Sequence, residues 1–296
     1  MILNSGIFLA GNIALFLASV VAMIWWHRKQ RKRRLPFGAD ILLLRAPGES
    51  QLKHVRKFEE DMFEKMVWAV FAPMLATSLC LFATTQLPSG LKPFGLVLSA
   101  IVFLAVFIAA ARWFFTRIIE NSNRYLGYFG ERIVAECLEP LKLQGWRIFH
   151  DLPAVSNGHN FNLDHVAVGP AGVFVIETKT FRKGLGNADH KVSFDGRNLT
   201  WPWGEDNDGL TQAEGNAIWL AERLKIETGE RVHVTPYLTM PGWWVEGNPG
   251  RDSRLYRVVN PKGLPKFLSS GTTILDQRQI DTIADKLEAR CRDVKY

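Results

Sequence analysis

The chain of 296 residues is long enough for two domains, and its mean hydropathy of −0.01 is that of an ordinary soluble protein. Charge divides it, because residues 1–117 carry 14 Lys and Arg against 6 Asp and Glu, whereas residues 118–296 carry 22 against 23. The net charge of +7 therefore belongs to the first part and does not indicate a nucleic-acid-binding second part. The 3 cysteines form no CxxC pattern, which excludes a disulfide framework and a cysteine-rich zinc site and suits a reducing compartment.

Three apolar stretches, at about 2–26, 66–87 and 93–115, are each long enough to cross a hydrocarbon core roughly 30 Å thick. A buried helical core is the alternative, but runs of this length disfavour it. The short connection PSGLK between the second and third stretches predicts a helical hairpin. No positive leader precedes the first stretch and no small-residue cleavage site follows it, so we predict a retained anchor rather than a secretory signal.

Basic residues predict the orientation of these spans. HRKQRKRR (27–34) follows the first span and Arg112, Arg117 and Arg124 lie around the end of the third, whereas the hairpin tip offers only Lys92. The positive-inside rule puts the amino terminus outside, and the loop 27–65 and everything after about 117 in the cytoplasm. We therefore predict a multi-pass integral membrane protein, located in a bacterial inner membrane. Its 27–34 run would attract anionic lipid headgroups at about 1 kcal/mol per nearby basic residue.

The stretch 49–65 within this loop has two interpretations. Its apolar residues recur at helical spacing, which suits an amphipathic helix lying on the membrane surface. The same pattern suits a solvated connector that begins the second span.

From about 118 onward the pattern is that of a soluble mixed α/β domain. We predict a helix near 128–139, stopped by Pro140, and later helices near 210–226 and 276–292. The predicted strands are 146–151, 163–168, 173–179, 232–240 and 255–259, with a hairpin at 192–200 whose Asp-Gly pair favours a tight primed turn. The core order is therefore α-β-β-β-α-β.

Acidic residues interrupt the hairpin LDHVAVGPAGVFVIETKT (163–180). If GPAG forms the turn, Val168 pairs with Val173 and Asp164 faces Glu177, at a separation where like charges destabilise a sheet unless neutralised. Alternation places Lys179 on the face of Glu177. A divalent cation such as Mg²⁺ would remove the remaining repulsion. A bulge at Gly172 would instead shift the partner of Asp164 to Thr178.

Glu131 supplies a third carboxylate, because it lies on the predicted buried face of the first helix with Val134, Ala135, Leu138 and Leu141. Each acid also has a purely structural explanation. Asp164 could cap its strand, Glu177 with Lys179 could protect a sheet edge, and Glu131 could favour a helix amino terminus. Their convergence by independent spacing rules favours a functional site.

The stretches GERIVAECLEPL, LDHVAVGPAGVFVIETKTFRKG and GLTQAEGNAIWLAERL resemble the nuclease-related domain, NERD, placed among PD-(D/E)xK nucleases, over about 125–245. In the motif that gives the superfamily its name, proline precedes the aspartate, whereas in this chain Leu163 precedes Asp164. The resemblance implies a restriction-endonuclease-like α/β core in 118–296, which would follow the all-α transmembrane region of three helices that the apolar stretches predict in 1–117. It also implies hydrolysis of phosphodiester bonds in DNA or RNA. The alternative is an inactive nuclease fold that binds nucleic acid or a protein at the membrane.

The same resemblance implies the site residues. Asp164 and Glu177 would bind Mg²⁺ or Mn²⁺, and Glu131 would assist as a third metal ligand. Lys179 would orient or activate the attacking water and stabilise phosphate charge, and Gln212 would contact substrate or metal-bound water.

Other features carry less weight. The 7 histidines show no H-x3-H spacing, so no zinc site is predicted, and His165 is expected to be packed inside the fold. Two sets of residues remain open between nucleic-acid contact and a structural or solvated role. They are Trp201, Trp203, Trp243 and Trp244 for base stacking, and Arg182, Lys183, Arg251, Arg254 and Arg257 for phosphate contact.

Overall fold

A computed structural model describes residues 11, 14–15, 17–26, 29, 41–186, 190–247 and 257–295. Contacts divide the chain into two compact units. One comprises Met1–Gly38 and His54–Asn123, and the other comprises Ala39–Lys53 and Arg124–Tyr296. The first is helical and the second is mixed α/β, as predicted.

The first unit is built from apolar helices. Helix α1 is Leu17–Trp26, α2 is Glu49–Thr85 and α3 is Lys92–Lys142, with a 3₁₀ turn at Ser89–Leu91. The segments Glu49–Thr85 and Ser89–Lys142 are long and apolar enough to cross a membrane by length and composition. Most of the predicted first span before Leu17, and the basic run 27–34 apart from Lys29, lie outside the described residues.

The predicted hairpin forms between α2 and α3. A Cβ added to Gly95 would lie 2.5 Å from Thr84 Cγ2, so the glycine permits the start of α3 to approach the end of α2. Helix α2 is continuous from Glu49, so the stretch 49–65 forms one helix with the apolar segment that follows it.

Pro140 does not stop the next helix, so that prediction was wrong. Helix α3 continues to Lys142 because Leu138 and Leu141, both fully buried, hold its last turns in the core. It also starts long before 128, since the apolar segment and the predicted helix 128–139 are parts of one helix.

A mixed five-stranded sheet organises the second unit, in the order β10-β8-β4-β3-β2. Its strands are β2 (Arg147–Ser156), β3 (His159–Gly169), β4 (Gly172–Thr178), β8 (Val234–Thr239) and β10 (Arg257–Val259). The pairs β2/β3 and β3/β4 are antiparallel, whereas β8 is parallel to β4 and to β10. Every residue of β4 is buried, as expected for a central strand covered on both faces.

Helices cover both faces of this sheet. Helices α4 (Asp208–Thr228) and α6 (Gln277–Cys291) pack on the face that carries Val173 and Val175. Helices α3 and α5 (Leu264–Ser269) pack on the face that carries Phe174 and Ile176. Along the chain, α3 is followed by β2, β3 and β4 and then, after three strands of a second sheet, by α4 and β8.

A second sheet of order β7-β6-β5-β9 comprises β5 (Lys191–Phe194), β6 (Leu199–Trp201), β7 (Gly204–Glu205) and β9 (Trp244–Glu246). The predicted 192–200 hairpin forms, with Phe194 paired to Leu199 and the Asp195 amide donating to the Asn198 carbonyl at 3.3 Å. The two central residues of its turn are therefore Gly196 and Arg197 rather than the predicted Asp195 and Gly196. The Asp195 carboxylate accepts bonds of 2.7 Å from the amides of Arg197 and Asn198, which stabilises this turn. A short ladder joins β1 (Leu43–Leu44) to β11 (Arg292–Val294).

Candidate active site

The β3–β4 hairpin has the predicted register. Val168 pairs with Val173, and the ladder ends at His165 and Ile176, one pair before Asp164 and Glu177. Asp164 Oδ2 then accepts a 2.7 Å hydrogen bond from the backbone N–H of Thr178. The hairpin therefore delivers Asp164 to the carboxyl end of β4, next to Glu177.

Glu177 and Lys179 form the most tightly defined part of this cluster. Lys179 Nζ lies 3.0 Å from Glu177 Oε1 and donates to Gln212 Oε1 at 2.5 Å. The other carboxylate oxygen, Glu177 Oε2, accepts a 3.0 Å bond from Asn216. Gly209 lets the start of α4 lie against the lysine stem, because an added Cβ would be 3.1 Å from Lys179 Cγ. The ammonium is thus held between a strand and a helix.

Helix α3 brings Glu131 to the same end of the sheet. A Cβ on Gly130 would lie 2.0 Å from Thr180 Oγ1, so only glycine permits this close approach. Glu131 is 6% exposed, and its Oε2 has no hydrogen-bond partner among the described residues. The helix face is as predicted, with these apolar residues buried beside it: Val134, Ala135, Leu138 and Leu141.

The pKa values of all three acids are raised. Burial raises the pKa of Glu131 to about 8, and Asp151 and Glu177 add to the rise, while the Gly48 amide and Lys179 oppose it. Burial, then Glu177 and Glu131, raises the pKa of Asp164 well above its usual range. Burial also raises the pKa of Glu177 against the opposing effect of Lys179 and Asn216. Because all three pKa values are raised, the three carboxyl groups cannot easily ionise together, and a bound cation would favour their ionised form.

The donor set suits a hard cation such as Mg²⁺, which proteins hold through one or two carboxylates while substrate and water complete the shell. The unpartnered oxygen of buried Glu131 is consistent with this. In the described part of the chain, no group of three or more His, Cys, Asp or Glu side chains is arranged to hold a metal ion. The three-carboxylate ligand set therefore stays a prediction.

Sequence reasoning missed two members of the cluster. Asn216 lies four residues after Gln212 on α4, and residues at this spacing share a helix face, so it could have been found. Asp151, for which we predicted no role, interacts electrostatically with Glu131. Its partners come from residues 45 and 50, a contact that no local pattern reveals.

His165 is packed inside the fold, as predicted. His165 is fully buried, and its Nδ1 lies 2.9 Å from Nδ1 of His150. Burial lowers the pKa of His150 to about 4 and that of His165 well below its usual range.

The tryptophans fall into two groups. Trp201 and Trp243 are buried in a small core with Phe194 and Leu199. Trp203 and Trp244 are 53% and 62% exposed. Among the arginines considered for phosphate contact, Arg251 and Arg254 lie outside the described residues, and Arg257 lies in β10.

Comparison with known proteins identifies one similarity. Residues 126–241 match the family model of the nuclease-related domain, NERD, a match that covers less than half of the chain. All five predicted site residues lie within it. No curated protein and no solved structure gave a match in the other two comparisons.

Proposed function

We propose, from the premise that residues 126–241 form a nuclease-related domain, that this protein hydrolyses phosphodiester bonds in DNA or RNA with the help of Mg²⁺ or Mn²⁺. The observation that best supports this proposal is the position of Lys179 beside the acidic cluster. Lys179 Nζ lies 3.0 Å from Glu177 Oε1, and Asp164 interacts electrostatically with both groups. Paired acids beside a fixed ammonium suit attack on a phosphodiester.

Asp164 and Glu177 would hold the divalent cation, and Glu131 would assist from α3. When bound, the ion would offset the charge of these acids and polarise a phosphoryl oxygen. The raised pKa values of the acids and the unpartnered Glu131 Oε2 support this assignment.

Lys179 would stabilise the charge that develops on the phosphoryl oxygens and help to orient the attacking water. Its ammonium has a fixed position because Glu177 and Gln212 both accept from it. Asn216 holds Glu177 in the orientation that serves the lysine. Gln212 is exposed and would contact the substrate.

Nucleic acid is the proposed substrate class because the domain is nuclease-related. Residues 118–296 are nearly balanced in charge, so binding would depend on local contacts rather than on the overall field. The exposed rings of Trp203 and Trp244 are candidates for stacking on unpaired bases.

The alternative function is an inactive nuclease fold that binds nucleic acid or a protein at the membrane. Two observations favour it. Charge is nearly balanced over 118–296, and the described residues include no group of three metal-ligating side chains.

Cleavage by the full-length protein in detergent would separate the two functions. Labelled single- and double-stranded DNA and RNA would be incubated with Mg²⁺, Mn²⁺ or a chelator. We expect metal-dependent cleavage that falls by about 10²-fold or more in Asp164→Asn and Lys179→Met. Lys191→Ala is the matched control, because Lys191 pairs with Glu246 in the second sheet.

Two outcomes would contradict catalysis. Equal activity in wild type and both site variants would indicate a contaminating nuclease. Binding of nucleic acid without cleavage under any metal condition would favour the inactive module.

We also place the protein in a membrane, with the amino terminus outside and the nuclease-related domain in the cytoplasm. Two segments of sufficient length and apolarity support anchoring. The basic residues 27–34, where anionic lipid headgroups would bind, support the orientation.

A further inference from the structure

Residues 41–50, here termed the pre-helix segment, precede and begin α2 and belong to the same compact unit as the nuclease-related domain. Leu43 pairs with Val294, and the Arg45 amide donates to the Cys291 carbonyl at 2.9 Å. The segment is therefore joined by backbone hydrogen bonds to the carboxyl-terminal part of the second unit, beyond the residues that match the nuclease-related domain.

Arg45 connects this segment to two acids. Its Nε and Nη2 donate to the two oxygens of Asp293 at 2.7 Å each, and its Nη1 donates to Asp151 Oδ2 at 2.8 Å. Nη1 also lies within 3.3 Å of Asn162 Oδ1. The Arg45 side chain is only 18% exposed, so solvent screens these pairs less than it would a surface pair.

Ser50 binds the same oxygen of Asp151. Its amide and hydroxyl donate to Asp151 Oδ2 at 3.1 and 2.7 Å, and the hydroxyl accepts from Asn162 at 2.7 Å. Asp151 is 3% exposed. Its carboxylate accepts bonds from Ser50 in the amino-terminal turn of α2, a position where negative charge is favoured. Its buried charge depends on donors from the pre-helix segment.

Gly48 brings the segment against α3. It has a φ of 69°, and an added Cβ would lie 2.8 Å from Tyr128 Cδ2 and 3.2 Å from Tyr128 Cα. Tyr128 precedes Glu131 by one helical turn. The backbone of the segment therefore packs directly on the helix that carries this acid.

Asp151 also lies beside the acidic cluster. On β2 and β3, His150 pairs with His165 and Leu152 pairs with Leu163, so Asp151 is level with Asp164. Asp151 has a φ of 49°, a left-handed conformation that is unusual for a strand residue. Such strain persists only where neighbouring contacts maintain it, and the contacts here come from Arg45 and Ser50.

We propose that the pre-helix segment is a positioning element of the catalytic centre, with Arg45, Ser50 and Asp151 as positioning residues that fix β2 and α3 around Glu131 and Asp164. Its effect on turnover rests on the proposed nuclease function, whereas its effect on the order of α3 does not. A complete site would then extend beyond 118–296 into the residues that lead to the first apolar segment of α2.

Full-length variants in detergent test this inference. Arg45→Met removes both ion pairs, Ser50→Ala removes a single hydroxyl, and Ser50→Thr retains that hydroxyl. Arg56→Ala is the matched control, since it removes an exposed charge from α2. The readouts are the kcat and KM for cleavage and, separately, amide hydrogen exchange in residues 126–135.

We expect Arg45→Met and Ser50→Ala to lower kcat by about 10- to 100-fold, with KM changed less than about twofold, and Ser50→Thr to restore kcat. Exchange in 126–135 should be several times faster in the first two variants than in Arg56→Ala. Wild-type kcat together with wild-type exchange in folded Ser50→Ala would overturn the inference.

The two readouts separate failure of this inference from failure of the proposed function. If the wild type cleaves nothing, the exchange measurement alone decides, and unchanged exchange overturns the positioning role. If Arg45→Met does not fold, Ser50→Ala decides, because the loss of one hydroxyl leaves both ion pairs of Arg45 in place.

Discussion

The Asn216 side chain donates a 3.0 Å hydrogen bond to Glu177 Oε2 and so joins helix α4 to the central strand β4. Glu177 is 2% exposed, and its other oxygen lies 3.0 Å from Lys179 Nζ. One buried carboxylate thus has a neutral donor on one oxygen and an ammonium on the other. The position of the Lys179 ammonium therefore depends on the orientation in which Asn216 holds the Glu177 carboxylate.

Substitution of Asn216 should therefore impair the site, although Asn216 itself is not proposed to contact the substrate. Asn216→Leu leaves Glu177 Oε2 buried without a donor, which costs about 1–3 kcal/mol and favours the protonated acid. We expect kcat to fall by about 10- to 100-fold. Glu222→Ala, on the exposed face of α4, is the control in the same cleavage assay. Equal kcat in the two variants would contradict the role given to Asn216.

Two glycines of α3 should respond in opposite directions to alanine. A Cβ at Gly130 would meet Thr180 Oγ1 at 2.0 Å, whereas at Gly127 nothing lies within 4 Å. We expect Gly130→Ala to destabilise the protein by about 1–3 kcal/mol through overpacking. Gly127→Ala should stabilise it by about 0.5–1 kcal/mol through helix propensity. Denaturant unfolding of the second unit measures both, and equal midpoints would refute the close approach.

The pH dependence of stability should reveal the buried acid. Glu131 has a pKa of about 8 in the folded protein against 4.5 in an exposed chain, so between these values the folded state binds a proton that the unfolded state lacks. The free energy of unfolding must therefore fall as pH rises through this window. His150 and His165, whose folded pKa values are lowered, act in the opposite direction only below about pH 6.5.

The measurement is the thermal midpoint from pH 6.5 to 8.5 with a chelator present. We expect the wild-type midpoint to drop over this range and Glu131→Gln to drop less, because glutamine has no proton to lose. Asp151, Asp164 and Glu177, whose pKa values are also raised, would contribute to the remaining slope. A variant curve parallel to that of the wild type would show that Glu131 does not carry the effect.

Membrane orientation is tested by protease access. The two long apolar segments predict that the protein stays in the membrane fraction after alkaline carbonate washing. The basic residues predict that added protease digests the nuclease-related domain in inside-out vesicles and spares it in sealed right-side-out vesicles. Digestion in right-side-out vesicles would reverse the predicted orientation.

Much of the local structure could be predicted because it depends on short-range rules. Alternation and turn length gave the pairing of Val168 with Val173, and helical spacing gave the buried face of Glu131. Predictions failed where burial outweighed local preference. Helix α3 passes Pro140 because Leu138 and Leu141 are buried.

The residues of the candidate site show the same difference between short-range and long-range determinants. Asp164, Glu177 and Lys179 lie within one hairpin, so their order along the chain determines their common position, whereas Asn216 and Asp151 join them only through packing. Arg45 and Asp151 are 106 residues apart in sequence and 2.8 Å apart in the structure.

By itself the sequence determined the apolar segments, the mixed α/β class, the register of the central hairpin and its three charged residues, because period, length and turn chemistry act between near neighbours. Only the tertiary structure decided that α3 reaches Thr180 through Gly130, and that residues 41–50 supply the donors for Asp151. These contacts join distant parts of the chain, and they form because buried charges need partners that the folded chain alone brings within hydrogen-bonding distance.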